Sequence, residues 1–160
     1  MNKRLSKQEL VTLVTKLRTH RKKIVTTNGS FDIFHAGHVF LLRKAKTYGD
    51  VLIVGVNSDA SVKRYKGKYR PVMTLNNRLA VLEAIQYVDY LYVFGELNPI
   101  AFINIVRPDV HVNSSEYGKK CVEAPAVKRH GGKLVLIHRK RNLQSTTKII
   151  DTIRKIPRGC

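Results

Sequence analysis

Val51-Leu52-Ile53-Val54-Gly55-Val56 is an unbroken apolar run, rich in β-branched residues and without polar alternation. A strand with that pattern is buried on both faces, as in parallel sheets covered by helices, and not in sheets with one solvated face. The rest of the chain must then supply helices between its strands, and its periodicity does so. Ser6-Lys7-Gln8-Glu9 has the form of a capping box. Leu10, Leu13, Val14 and Leu17 follow at helical spacing, predicting a helix over 7–19.

Lys23–Thr27 reads as a first strand, and His38–Tyr48 as a helix stopped by Gly49. Beyond the central run, helices are expected at Asn76–Tyr87, Pro99–Val106, Cys121–His130 and Thr146–Ile156. Strands are expected at Tyr90–Phe94, Val110–Asn113 and Lys133–Ile137. Alternation at this spacing implies βαβ units in an α/β fold, a Rossmann-like doubly wound parallel sheet. Residues 1–160 read as one domain, with 1–21 an appended N-terminal helix and 22–156 the core. Residues 58–75 read as a long irregular stretch carrying Lys63, Arg64, Lys66, Lys68 and Arg70. Loops of that length are often functional. Arg70 is read as a phosphate clamp, and Lys63 and Arg64 as a solvated face.

A chain of 160 residues can bury a substantial core, and 43% hydrophobic content argues against global disorder. No apolar run approaches the roughly 20 residues that span a bilayer. The basic N-terminus has no apolar stretch behind it, so no secretory signal is expected. Cys121 and Cys160 lie far apart without metal-ligand spacing, which fits a reducing, cytoplasmic setting. The 30 Lys+Arg against 11 Asp+Glu give a formal charge of +19, which favours anionic partners. The basic clusters Arg18–Lys23, Lys63–Arg70 and Arg139–Arg141 are interrupted and carry no nucleic-acid-binding signature, so nucleic acid is not the expected partner.

In open α/β sheets, ligands bind beyond the carboxyl ends of the strands. Asn28–His38 lies there, after the first strand. Neither Gly-x-Gly-x-x-Gly nor the Gly-x4-Gly-Lys-Ser/Thr phosphate loop is present, which speaks against a dehydrogenase or a P-loop enzyme. His35-Ala36-Gly37-His38 instead falls at a helix N-terminus, where unpaired amides and the helix dipole attract phosphate. The remaining histidines, His20, His111, His130 and His138, have no ligand spacing to this pair, so a metal site is not expected.

Residues 24–62 carry this corner together with Asn57-Ser58-Asp59. Further on come Arg70-Pro71-Val72, Asn77-Arg78 and Ser145-Thr146-Thr147-Lys148-Ile149. Over roughly 22–155 the chain resembles the HxGH nucleotidyltransferases. Within them it is most similar to the adenylyltransferase domains of bacterial ADP-heptose synthases, then to glycerol-3-phosphate cytidylyltransferases. The resemblance implies transfer of an NMP from an NTP to a sugar or polyol phosphate, with release of pyrophosphate. ATP is the favoured nucleotide and CTP the alternative, with Mg²⁺ as cofactor and a homodimer as the expected assembly. No kinase domain precedes these residues here, so a separate kinase is expected to supply a heptose 1-phosphate.

The resemblance further implies that His35, His38 and Lys46 act on the phosphates. Asn28, Gly29, Ser30, Phe31, Gly37, Asn57, Asp59, Arg78, Asn113, Ser145, Thr146 and Thr147 would bind nucleotide or phosphate. Arg70 and Asp32 are candidates for the substrate phosphate, with Asp32 equally suited to orienting its loop. The metal would be held mainly by the triphosphate, with no protein ligand set. A spacing of two helical turns between His38 and Lys46 suggests that both face one side. The chain departs from the heptose enzymes at Asn113-Ser114-Ser115-Glu116-Tyr117, where they carry Lys-Gly-Gly-Asp-Tyr. It departs from the cytidylyltransferases at Asn76-Asn77-Arg78, where they carry Glu-His-Arg. A non-catalytic nucleotide- or RNA-binding relative is the competing reading from a different class.

Overall fold

The computed structural model describes residues 3–115, 121–138 and 143–157. Six parallel strands form one sheet: β1 (Arg4–Leu5), β2 (Ile24–Gly29), β3 (Val51–Asn57), β4 (Tyr90–Phe94), β5 (Val110–Ser114) and β6 (Lys133–Ile137). Their order is β1-β4-β3-β2-β5-β6. The chain runs outward from β2 through β3 to β4, then returns to the other side of β2 as β5. The carboxyl ends of β2 and β5 therefore flank the reversal of strand order, where α/β sheets bind ligands.

Two apolar cores cover the faces. On one, Val25, Leu52, Val54, Val56, Val110 and Val112 meet α2 (Ala36–Lys46) and α4 (Leu75–Ala84) through Leu42, Ala45, Leu79 and Leu82. On the other, Ile24 and Ile53 meet α1 (Lys7–Thr19), α5 (Ile100–Val106) and α6 (Ala124–Arg129). Adjacent residues of one strand, Ile24 and Val25 or Ile53 and Val54, thus enter opposite cores, as a period of two demands. That burial on both sides is why the central run lacks polar alternation. The capping box closes α1: Ser6 Oγ accepts from the Glu9 amide, and the Glu9 carboxylate accepts from the Ser6 amide. Leu10 and Val14 then pack into the second core.

The helical stretch α3 (Asp59–Lys66) lies within residues expected to be irregular. Only its Ser61 and Val62 are buried, so the apolar period is too sparse to register. Its punctuation is nevertheless present. Ser58 Oγ caps the Ser61 amide, and Gly67, with a φ of 97°, ends the helix. The two-residue β1, which edges the sheet beside β4, also has no sequence signature of its own. Helix α2 starts two residues before its expected position, α4 ends at Ala84, and α6 is shorter at both ends than expected. The last helix, α7, spans Thr146–Arg154. No helix among the described residues is long and apolar enough to cross a membrane.

Candidate active site

A cavity of about 460 Å³ opens at the carboxyl edge of the sheet. Its floor is the end of β2 and the following loop (Asn28, Gly29, Ser30, Phe31), with Asn113 and Ser114 from β5 and Ile137 from β6. His35, Gly37 and His38 line it from α2, Lys66 and Arg70 from the segment after β3, and Ser145, Thr146 and Thr147 from the start of α7. Two helix N-termini therefore converge on one space with two cations beside them. That arrangement binds polyanions.

His35 is the N-cap of α2, and its Nδ1 accepts the Gly37 amide at 3.1 Å. An accepting Nδ1 leaves the ring proton on Nε2, which fixes the tautomer. The His35 and His38 rings stack at 3.8 Å, and Phe34 stacks on His38 at 5.3 Å. Both imidazoles are thus held as rigid plates at the cavity wall. A Cβ on Gly37 would stand 2.9 Å from the His35 ring and 3.0 Å from the Gln144 carbonyl. Only glycine lets the start of α2 come this close to the segment leading into α7.

The loop between β2 and α2 is strained. Phe31 and Ile33 have φ of 49° and 45°, left-handed values that cost of order 1–3 kcal/mol each in non-glycine residues. Three distant anchors hold it there. The Arg78 guanidinium donates to the Ser30 carbonyl, to the Asn57 carbonyl at 2.9 Å and to Asp59 at 2.7 Å. The Asp32 carboxylate accepts from the Val72 and Met73 amides and pairs with Arg70 Nε at 2.7 Å. Thr146 Oγ1 donates to the Asp32 carbonyl at 2.7 Å. Burial alone would raise the Asp32 pKa, but the Met73 and Val72 amides and the Arg70 guanidinium outweigh it and hold the carboxyl below its ordinary value.

Several expected site residues take other places. Asp32 is buried, does not line the cavity and spends its oxygens orienting the loop and Arg70. Arg78 is fully buried and pins β2 to β3 through the Ser30 and Asn57 carbonyls, so the structure places it as a brace beneath the cavity. Asp59 serves the same brace and accepts the Leu75 amide. Asn57 donates to Ser61 and faces a second, smaller recess. Lys46 lies farthest from its expected place. Its ammonium pairs with Asp89 at 2.5 Å and donates to the Asp50 carbonyl at 2.7 Å. Asp50 and Asp89 immediately precede β3 and β4, so Lys46 lies at the amino edge of the sheet, opposite the cavity.

Among the described residues Lys66 does reach the cavity, from within the stretch expected to be irregular. Its Nζ donates to Ser30 Oγ at 2.9 Å. Burial of the ammonium and then the neighbouring Arg70 guanidinium push its pKa down, with Asp32 partly opposing them. Ser58 and Gly67 as helix caps are the signal that would have placed Lys66 in a last helical turn. Arg70 Nη2 has no hydrogen-bond partner among the described residues, which leaves a donor at the cavity for an anion. Glu116 and Tyr117 of the departing segment, together with Arg139–Arg141 and Cys160, lie outside the described residues.

Among the described residues the cavity is lined by hydrogen-bond donors, two helix N-termini and two cations. This is equipment for aligning and neutralising phosphates, the task of a transferase that moves a nucleotidyl group. The sequence matches the cytidylyltransferase-like family over residues 26–156, and the chain belongs to that family. It is a nucleotidyltransferase. Among curated proteins it is 44% identical over 152 residues to the bifunctional protein HldE of Pseudomonas paraeruginosa. It is 43% identical to that of Pseudomonas fluorescens. Each match covers 94% of this chain and 32% of the relative, so the chain spans about a third of their length. Among solved structures, the lipopolysaccharide core biosynthesis protein of Thermoplasma volcanium aligns with TM-score 0.60 and 30% identity, over 74% of this chain and 97% of that one. A pantoate-beta-alanine ligase from Francisella tularensis aligns with TM-score 0.68 over 98% of this chain and 79% of its own; at 16% identity it speaks for the fold alone.

Proposed function

We propose that this cavity transfers an adenylyl group from ATP to a heptose 1-phosphate, giving ADP-heptose and pyrophosphate. The observation that carries the reading is the convergence of the α2 and α7 N-termini with His35, His38, Lys66 and Arg70 around one space. The choice of acceptor is supported by similarity to HldE and to a lipopolysaccharide core biosynthesis protein. A phosphate oxygen of the acceptor attacks the α-phosphorus of ATP. The new O–P bond forms as the bond from the α-phosphorus to the bridging oxygen of pyrophosphate breaks.

The acceptor phosphate, with a second pKa of about 6, is ionised at neutral pH and needs no base. His35, through Nε2–H, and His38 lie where charge builds on the α-phosphate. Lys66, Arg70 and the α7 amides take the charge that moves to pyrophosphate. These donors are in place beforehand, so little reorganisation accompanies the reaction. Among the described residues no group of three or more His, Cys, Asp or Glu side chains is arranged around a metal. A Mg²⁺ entering with the triphosphate would offset the charge on its oxygens.

The test is pyrophosphate release with Mg²⁺, pairing ATP or CTP with D-glycero-β-D-manno-heptose 1-phosphate or glycerol 3-phosphate. Turnover with ATP and the heptose is expected. Turnover only with CTP would replace the reading with cytidylyl transfer to a polyol phosphate. Turnover with none of the four pairs, alongside tight nucleotide binding, would mark a non-catalytic binder.

A further inference from the structure

Beside the main cavity lies a recess of about 230 Å³ that shares Asn28, Gly29 and Asn113 with it. The two differ in chemistry. The main cavity is lined by Lys66, Arg70 and two helix N-termini, whereas among the described residues no lysine, arginine or histidine lines the recess. Its ionisable wall is Glu123, a 4% exposed carboxylate. That carboxylate accepts the Cys121 thiol at 3.1 Å and the Asn113 amide at 3.4 Å. A carboxylate has about four lone-pair sites, and a thiol is a weak donor. Acceptor capacity is therefore left over next to open space. Asn28 Oδ1, a buried acceptor on the shared rim, has no partner among the described residues. Tyr65, Leu97 and Val122 add apolar surface.

We infer that this recess is the acceptor-hydroxyl subsite and that Glu123 is its specificity residue, reading the hydroxyls of a sugar or polyol whose phosphate lies in the main cavity. Hydroxyls donate to acceptors that a phosphate, being anionic, would be repelled by. The C–H faces of a pyranose suit the apolar wall. The shared rim at Asn28 and Asn113 would let one molecule span both spaces, phosphate on the basic side and hydroxyls on the acidic side. This assignment rests on the transferase reading for the choice of acceptor. It does not depend on turnover.

Calorimetric titrations of the wild type, Glu123→Gln and Leu97→Trp separate the two. The ligands are heptose 1-phosphate, inorganic phosphate and ATP with Mg²⁺. Glu123→Gln keeps the shape and removes the charge, while Leu97→Trp fills the recess from an exposed rim and leaves the buried polar groups intact. Both are expected to weaken heptose 1-phosphate at least tenfold and to leave inorganic phosphate and ATP within about twofold. Unchanged heptose phosphate binding in both variants overturns the assignment. So does a parallel loss for inorganic phosphate, or a wild type that binds the heptose no better than inorganic phosphate. The selective loss in both variants, beside a wild type that releases no pyrophosphate, would keep the recess and sink the transfer reaction.

Discussion

The two ends of α2 carry similar residues to opposite ends of the sheet. At its start, beside the carboxyl ends of β2 and β5, His35 and His38 face a cavity together with Arg70, whose Nη2 is unpartnered among the described residues. At its end, beside the amino ends of β3 and β4, Lys46 is bound by the Asp89 carboxylate and the Asp50 carbonyl. Asp89 also takes the Leu52 amide at 2.7 Å. The amino edge has matched its charges internally. The carboxyl edge keeps at least one donor, Arg70 Nη2, without a partner among the described residues, available to an anion from outside. That difference, and not the mere presence of a cation, separates working residues from structural ones.

The largest effect should follow from breaking the carboxyl edge itself. His38→Ala and His35→Ala are each expected to lower kcat by ~10²–10³-fold, the cost of losing one preorganised donor to a developing charge. Unfolding midpoints should shift little for His38→Ala, which does not cap the helix. Turnover of His38→Ala within a few-fold of wild type would remove the histidine from the mechanism.

Arg78 sharpens the comparison because it lies close to the cavity yet behaves like the amino edge. Its guanidinium is buried and committed to Ser30, Asn57 and Asp59. Arg78→Ala would orphan these acceptors and release the strained loop. The expected cost is about 3 kcal/mol or more in urea unfolding. Arg78→Lys should recover only part of this, since an ammonium cannot reproduce the fork. A stable Arg78→Ala with raised KM for ATP would return it to the phosphates.

Between the edges, His111 accepts or donates at Nδ1 to Thr26 Oγ1 at 2.8 Å and is wholly buried. Burial pushes its pKa from the ordinary 6.5 down to about 4, with Glu123 pulling the other way. Between those values the unfolded chain binds a proton that the folded chain does not. Stability is therefore level above about pH 6.5 and falls as pH drops toward 4, by up to about 3 kcal/mol. Thermal unfolding of wild type and His111→Asn between pH 4 and 7.5 checks this. The variant should show a flatter dependence in that window.

What the sequence disclosed follows from how far each signal travels along the chain. Strands β2 to β6, the capping box and the place of His35–His38 at a helix start are local patterns, and each appears close to where it was expected. The helix α3 escaped because only two of its eight residues are buried. Lys66 escaped with it, since it meets Ser30 across 36 residues of chain. Glu123 joins the recess through a fold contact that no spacing announces. Arg78 was read by its place at a helix start, which says nothing of burial. Lys46 lies away from its expected place for a geometric reason. Periodicity gives the direction in which a side chain leaves a helix, but not its height along the axis. Eight residues at 1.5 Å each put Lys46 ~12 Å from His38, at the other edge of the sheet.

Lys46 is therefore the sharpest small test. If the amino edge is only structural, Lys46→Ala should leave kcat and both KM values unchanged. It should cost at most about 1 kcal/mol, because the pair with Asp89 is partly solvated and Asp89 keeps the Leu52 amide. Lys66→Ala, made in parallel, should do the reverse: little change in unfolding and a raised KM for nucleotide. The two lysines lie 20 residues apart in sequence and at opposite ends of the strands. Exchanged outcomes, with Lys46→Ala impairing nucleotide use and Lys66→Ala silent, would mean that the chain closes differently around its substrate, and the contrast between the edges would fail.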